Sequence, residues 1–290
     1  FALPGGYVGV HTGLISAARN ESELAGVLAH EISHVTQNHI ARIVDNQKSA
    51  GLVSLVALAV AILAARSNSQ VSQAAIVGAQ AASIQSQLNY TRENEREADR
   101  VGLQTMNAAG FSPQGMASFF ERLQSQGRVY ENNAPSYLRT HPLTYERIAD
   151  MQNRLSHLPY QQHADSPEFP LIRARVQANE GEAKDAVAFY EIQVRENPTP
   201  AAWYGLSQAS MRVGNTARVE QALARIDGPL AKSPLVAVAH IDLALVRSQI
   251  DAALKLSQAA LIQHSAYRPL AYLRAKTLLR ANRVQETLKF

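Results

Sequence analysis

Within LAGVLAHEISHVTQNHIAR, residues 24–42, the letters HEISH set His30 and His34 four residues apart, with Glu31 beside the first. On an α-helix, side chains at i and i+4 share a face, about 5–6 Å apart at Cβ. Two imidazoles so placed can chelate one Zn2+. Glu31 would reach water at the metal without ligating it, as a general base does. Catalytic zinc takes three protein ligands and leaves a position for water. The motif thus supplies two ligands and a base, and lacks one ligand.

The chain has no cysteine, so the third ligand must be His, Asp or Glu. Candidates cluster in RENEREADR, residues 92–100, where Glu93, Glu95 and Glu97 compete. Helical phase separates them. Glu95 shares its stripe with Leu88, Ala98, Asp99, Gly102, Leu103 and Met106, a core-facing set. Glu93 shares its stripe with Ser86, Asn89, Glu97 and Arg100, a solvated set. A buried carboxylate without a partner costs several kcal/mol, which a metal ion would offset. We therefore expect Glu95 as the third ligand. Asp99, one turn on, is placed to accept the free N–H of a ligating histidine.

These residues need helices to aim them. Asn20, three residues before Glu23, reads as a cap for a helix whose apolar positions Leu24, Val27, Leu28 and Val35 follow at helical spacing. YVGVHTGLI, after the PGG turn, reads as a short strand or hairpin. A polar helix ends at Gly110, another covers residues 112–126, and Pro142 opens a further one. Residues 49–91 carry only Arg66 as a charge and read as a helical hairpin. Its apolar run of about 15 residues is short of the roughly 20 that span a bilayer. A buried core helix is the first reading, and contact of residues 51–65 with a membrane surface the second. His39, about 500° around the helix from His34, falls on another face and reads as structural, as does His11.

The proline-bearing stretch at 159–165 divides the chain into residues 1–158 and 166–290. After it Pro167, Pro200, Pro234 and Pro269 recur at intervals of 33, 34 and 35 residues, each long enough for two antiparallel helices. Ala186, Ala253, Trp203 and Leu206 fit the small and large positions of a tetratricopeptide-like repeat. The expected fold is mostly α: a zinc-binding domain with a small strand element, then helical repeats. Residues 1–165 carry 12 Lys/Arg against 13 Asp/Glu and seven of the nine histidines, while residues 166–290 carry 16 against 11. No dense basic cluster marks a nucleic-acid partner. No G-x-S-x-G or phosphate-binding glycine loop is present. Phe1 opens on what reads as the middle of a domain, as if a signal peptide and first helices had preceded it.

HEISH on a helix, EREAD beginning 61 residues after His34, and THPLTYERI at 140–148 together resemble the gluzincin peptidases of the HtpX and CAAX-prenyl-protease clan. With tetratricopeptide-like repeats behind it, the chain is similar to the periplasmic BepA-type (YfgC-type) family. The resemblance implies one zinc ion held by His30, His34 and Glu95, with Glu31 as base. The acidic residue after the third ligand, sometimes described as a proton donor, falls on Asp99. The resemblance also implies a periplasmic endopeptidase acting on misassembled outer-membrane β-barrel proteins, its repeats docking substrate or the barrel-assembly machinery. The competing class is a chaperone or adaptor whose zinc site is structural or latent. His141, on the loop of THP, receives a site role chiefly through this resemblance. It could stabilise an oxyanion, or occupy the open metal position and silence the enzyme. Arg147 either binds the substrate's backbone or pairs with a carboxylate on its own helix.

Overall fold

The computed structural model describes residues 1–3, 5–43, 45, 85, 91–129 and 141–288. Its described residues form two compact units, one of Phe1–His11 with Ala18–Ala164, the other of Thr12–Ala17 with Asp165–Phe290. The architecture is mostly helical, with one two-stranded sheet followed by repeat-like helix pairs, as the sequence leads one to expect.

In the first unit β1 (Ala2–Leu3) pairs antiparallel with β2 (Tyr7–Val8), Ala2 opposite Val8 and Leu3 opposite Tyr7. The strand expected over residues 7–15 stops there, since β1 offers only two residues to pair with, and the chain becomes helical as α1 (Thr12–Ala17), which belongs to the second unit. Helix α2 (Glu21–Thr36) starts where Asn20 Oδ1 accepts from the backbone N–H of Glu23 at 2.8 Å. It ends at Gln37, and Asn38 adopts φ 55. Asparagine is one of the few residues that tolerate this left-handed conformation. The backbone then resumes as a short helix, α3 (39–43). The polar helix α4 covers 91–108, α5 is Gln114–Val129 and α6 is Tyr145–Leu155. The last begins three residues later than its proline suggested, because Thr144 is the N-cap and its hydroxyl accepts from Arg147 N–H at 3.3 Å. The helical hairpin expected over residues 49–91, with its membrane contact by 51–65, lies outside the described residues, save for the helical residues Gln85 and Thr91, the latter opening α4. Among the described residues no helix is long and apolar enough to cross a membrane.

Two contacts fix α2 against α5. A Cβ on Gly26 would lie 2.7 Å from Met116 Cα, and one on Gly115 would lie 2.6 Å from the carbonyl carbon of Ser22. Only glycine allows backbones so close. Beside this crossing, Arg122 donates from Nη1 and Nη2 to the two oxygens of buried Glu23, both at 2.6 Å. Bidentate geometry of this kind restores much of what burial of a carboxylate costs.

The second unit packs α7 (Phe169–Ala178), α8 (Ala183–Glu196), α9 (Pro200–Arg212), α10 (Thr216–Leu223), a 3₁₀ turn (Gly228–Lys232), α11 (Pro234–Val246), α12 (Ile250–Gln263), α13 (Arg268–Arg280) and α14 (Val284–Thr287). Pro200 and Pro234 open α9 and α11, where their missing N–H costs nothing. Ala186 and Ala253 are buried as expected of close-packing positions. A second repeating device was not anticipated. Arg212 donates to the carbonyls of Ala178 (2.7 Å) and Gly181 (2.8 Å), Arg247 to that of Thr216 (3.0 Å), and Arg280 to that of Leu245 (3.2 Å). Each reaches back to backbone carbonyls 31–35 residues earlier in the chain.

Gly26→Ala should lower the free energy of unfolding by about 1–3 kcal/mol, the usual cost of overpacking. Urea unfolding monitored by circular dichroism reads this as a lower midpoint with unchanged slope.

Candidate metal centre

Helix α2 carries His30, Glu31 and His34 on its inner side, and all three are buried. Helix α4 presents Glu95 and Asp99 to them, also buried, whereas Glu93 is exposed. His141 stands on the loop before α6, and Arg147 in the first turn of that helix. The structure brings His30, His34, Glu95 and His141 together, with one ligand-type atom from each within 4.8 Å of the others.

Nε2 of His30 and Nε2 of His34 are 3.0 Å apart, and His30 Nε2 is 3.3 Å from His141 Nδ1. Glu95 Oε2 lies 3.4 Å from His30 Nε2, and Oε1 lies 3.4 Å from His34 Nε2. His141 Nδ1 is 3.0 and 3.1 Å from the two oxygens of Glu95. Three imidazoles and a carboxylate converging on one point need a proton or a cation between them. The donor set, nitrogen and carboxylate oxygen, suits zinc.

The titration of these groups expresses the same crowding. Burial works against the charged form of His30, but hydrogen bonds to Asp99 and Glu95 outweigh it and raise its pKa to about 9. A metal ligand must be deprotonated, so metal binding here would release that proton. Burial likewise opposes the charge on Glu95, yet hydrogen bonds from His141, His30 and His34 hold its carboxyl far below the usual range. Burial pushes His34 below the ordinary imidazole value.

His30 Nδ1 lies 2.9 Å from Asp99 Oδ1, the contact expected of a carboxylate behind a ligand. Arg147 crosses from α6 to the carboxylates of α4. It donates from Nε to Asp99 Oδ2 and from Nη2 to Asp99 Oδ1, both at 2.8 Å. Its Nη1 is 2.8 Å from Glu95 Oε2 and donates to the carbonyl of Pro142 at 2.8 Å. Burial opposes ionisation of Asp99, but His30 and Arg147 hold its carboxyl below the usual range. Both oxygens of Asp99 are thus engaged by His30 and Arg147.

Glu31 differs from its neighbours. It is 1% exposed, and neither of its oxygens makes a hydrogen bond among the described residues. The nearest charged groups are His141 Nε2 at 3.5 Å and the amino group of Phe1 at 3.6 Å.

One residue was misjudged. His39 does not continue around α2, because Asn38 breaks the helix and returns it to the site, with Nδ1 2.8 Å from Nδ1 of His34. The QN pair before it was the available signal, since Asn favours the end of a helix.

A model of peptidase family M48 matches residues 1–155. The chain belongs to this family. It is 41% identical over 175 residues to the beta-barrel assembly-enhancing protease of Escherichia coli K12, covering 60% of this chain and 36% of that protein. It is 39% identical over 176 residues to the protease of that name from Yersinia pestis, covering 61% and 36%. A mitochondrial metalloendopeptidase of Schizosaccharomyces pombe is 28% identical over 156 residues, covering 53% and 43%. The chain spans less than half the length of these relatives. The His/Glu cluster is compatible with a metalloprotease active site.

Arg147→Met should lower stability at pH 7 by about 3–5 kcal/mol, because two buried carboxylates lose their shared cation. Both carboxyls are depressed in the folded chain. Their contribution is therefore present above their unfolded values near 4 and lost as pH falls through the lower folded ones. The deficit of Arg147→Met should narrow as denaturant unfolding is repeated at falling pH.

Proposed function

We propose that this chain is a zinc-dependent endopeptidase that acts in the periplasm on misassembled outer-membrane β-barrel proteins. Residues 1–158 would be its peptidase domain and 166–290 its tetratricopeptide-like domain for docking substrate or assembly machinery. The observation that carries the chemistry is buried Glu31, free of hydrogen bonds beside four convergent donors. The substrate class rests on the names of the bacterial relatives.

His30, His34 and Glu95 would hold the zinc ion, which when bound supplies Lewis acidity toward water and a peptide carbonyl. The remaining work falls to the chain. Glu31 accepts a proton as water oxygen bonds to the peptide carbon, and returns it to the amine nitrogen as the C–N bond breaks. Asp99 keeps Nδ1 of His30 turned away from the centre, and Arg147 holds Asp99 and Glu95 together.

Zinc-loaded chain should cleave a loosely folded protein such as casein, and Glu31→Gln with equal zinc content should be slower by about 10²–10⁴-fold. Equal rates for the two would remove Glu31 from the chemistry.

A second reading has its own observation. His141 stands among the ligand atoms, and a fourth protein donor is what a closed, structural site has. His141→Ala should then raise the cleavage rate of a sluggish parent by opening that position. If the parent, Glu31→Gln and His141→Ala chains are all silent with zinc bound, the chaperone or adaptor reading replaces the protease.

A further inference from the structure

His34 has two ring nitrogens, and Nε2 is the one that faces His30 and Glu95. The other, Nδ1, lies 2.8 Å from Nδ1 of His39. Two ring nitrogens this close share a proton, so one donates and the other accepts. His39 is 1% exposed, and its Nε2 lies 3.1 Å from Glu97 Oε2. An ionised carboxylate can only accept. Arg42 secures Glu97 in that state, donating from Nη2 to the same oxygen at 2.6 Å and to Asn94 Oδ1 at 2.8 Å.

The protons are thereby ordered from the surface inward. His39 donates from Nε2 to Glu97, which leaves its Nδ1 as an acceptor. His34 donates from Nδ1 to that acceptor, which leaves its lone pair on Nε2, aimed into the cluster. We propose that His39, Glu97 and Arg42 form a support arm that sets the tautomer and direction of His34, with His39 as a positioning residue. The arm rests on the metal-centre reading above and extends it to residues outside the HEISH motif. It parallels the arm of His30, Asp99 and Arg147, with an imidazole inserted between ligand and carboxylate. Unlike that buried arm it ends in solvent, where the side chains of Arg42 and Glu97 are 43% and 29% exposed.

The test uses the full chain and two readouts, ring-nitrogen NMR of His34 without zinc and zinc affinity by competition with a chromophoric chelator. The parent should show His34 protonated at Nδ1. His39→Phe fills the same space without the hydrogen bonds, and should mix the tautomers and weaken zinc binding about 10–100-fold, the usual effect of losing such support. His39→Gln can accept from His34 through its amide oxygen and donate to Glu97 through its amide nitrogen, so it should recover most of the affinity. Glu97→Ala, at a partly exposed position that does not threaten folding, should also weaken binding and mix the tautomers. Unchanged tautomer and affinity in Glu97→Ala, or equal losses in His39→Phe and His39→Gln, would overturn the proposal and leave His39 as filling. A parent that binds no zinc would defeat the metal-centre reading, while the zinc-free His34 spectra would still decide the arm.

Discussion

The guanidinium of Arg147 is the charge on which the centre depends. Glu95 and Asp99 stand one turn apart on the same face of α4, both buried, and two carboxylates so placed lose their hydration and repel each other. A planar fork with five donors can satisfy both at once and still reach the Pro142 carbonyl. A lysine would bring the charge without the fork. Through Asp99 the same cation fixes His30, and through Pro142 it ties down the loop that carries His141. One side chain outside the HEISH and EREAD motifs thus sets the positions of several of their residues.

The rest of the first unit exists to bring three helices to that charge. Glycines 26 and 115 allow α2 and α5 to touch along their backbones, and the Glu23–Arg122 pair keeps them in register. His30 meets the edge of Phe120, with ring centroids 5.8 Å apart, while Arg147 lies over the same ring at 5.9 Å. A single α5 aromatic therefore walls both the candidate ligand and its distant support. The polar cluster is built largely from helices against a packed core, which holds Glu31 in place without a hydrogen bond to it.

Much of this was legible in sequence, for a physical reason. A helix repeats every 3.6 residues, so His30 with His34, and Glu95 with Asp99, declare a shared face before any fold is known. The same periodicity misled at His39, because it holds only while the helix does, and one left-handed Asn38 cancels it. Arg147 was visible but its partner was not. Long side chains that bridge separate helices leave no spacing to read, and pairing within its own helix was the only contact that sequence distance suggested. The repeats were announced by their prolines, whereas the arginines that join them carry no mark distinguishing them from surface charge.

Those arginines make the second unit a series of joints. Arg212, Arg247 and Arg280 each grip carbonyls 31–35 residues earlier in the chain. Stacked repeats of this kind touch only their neighbours. A load applied at α13 passes to α11 and then onward one joint at a time, as through springs coupled end to end, whose compliances add. A stack with such joints yields a little at each step, without any single helix pair coming apart.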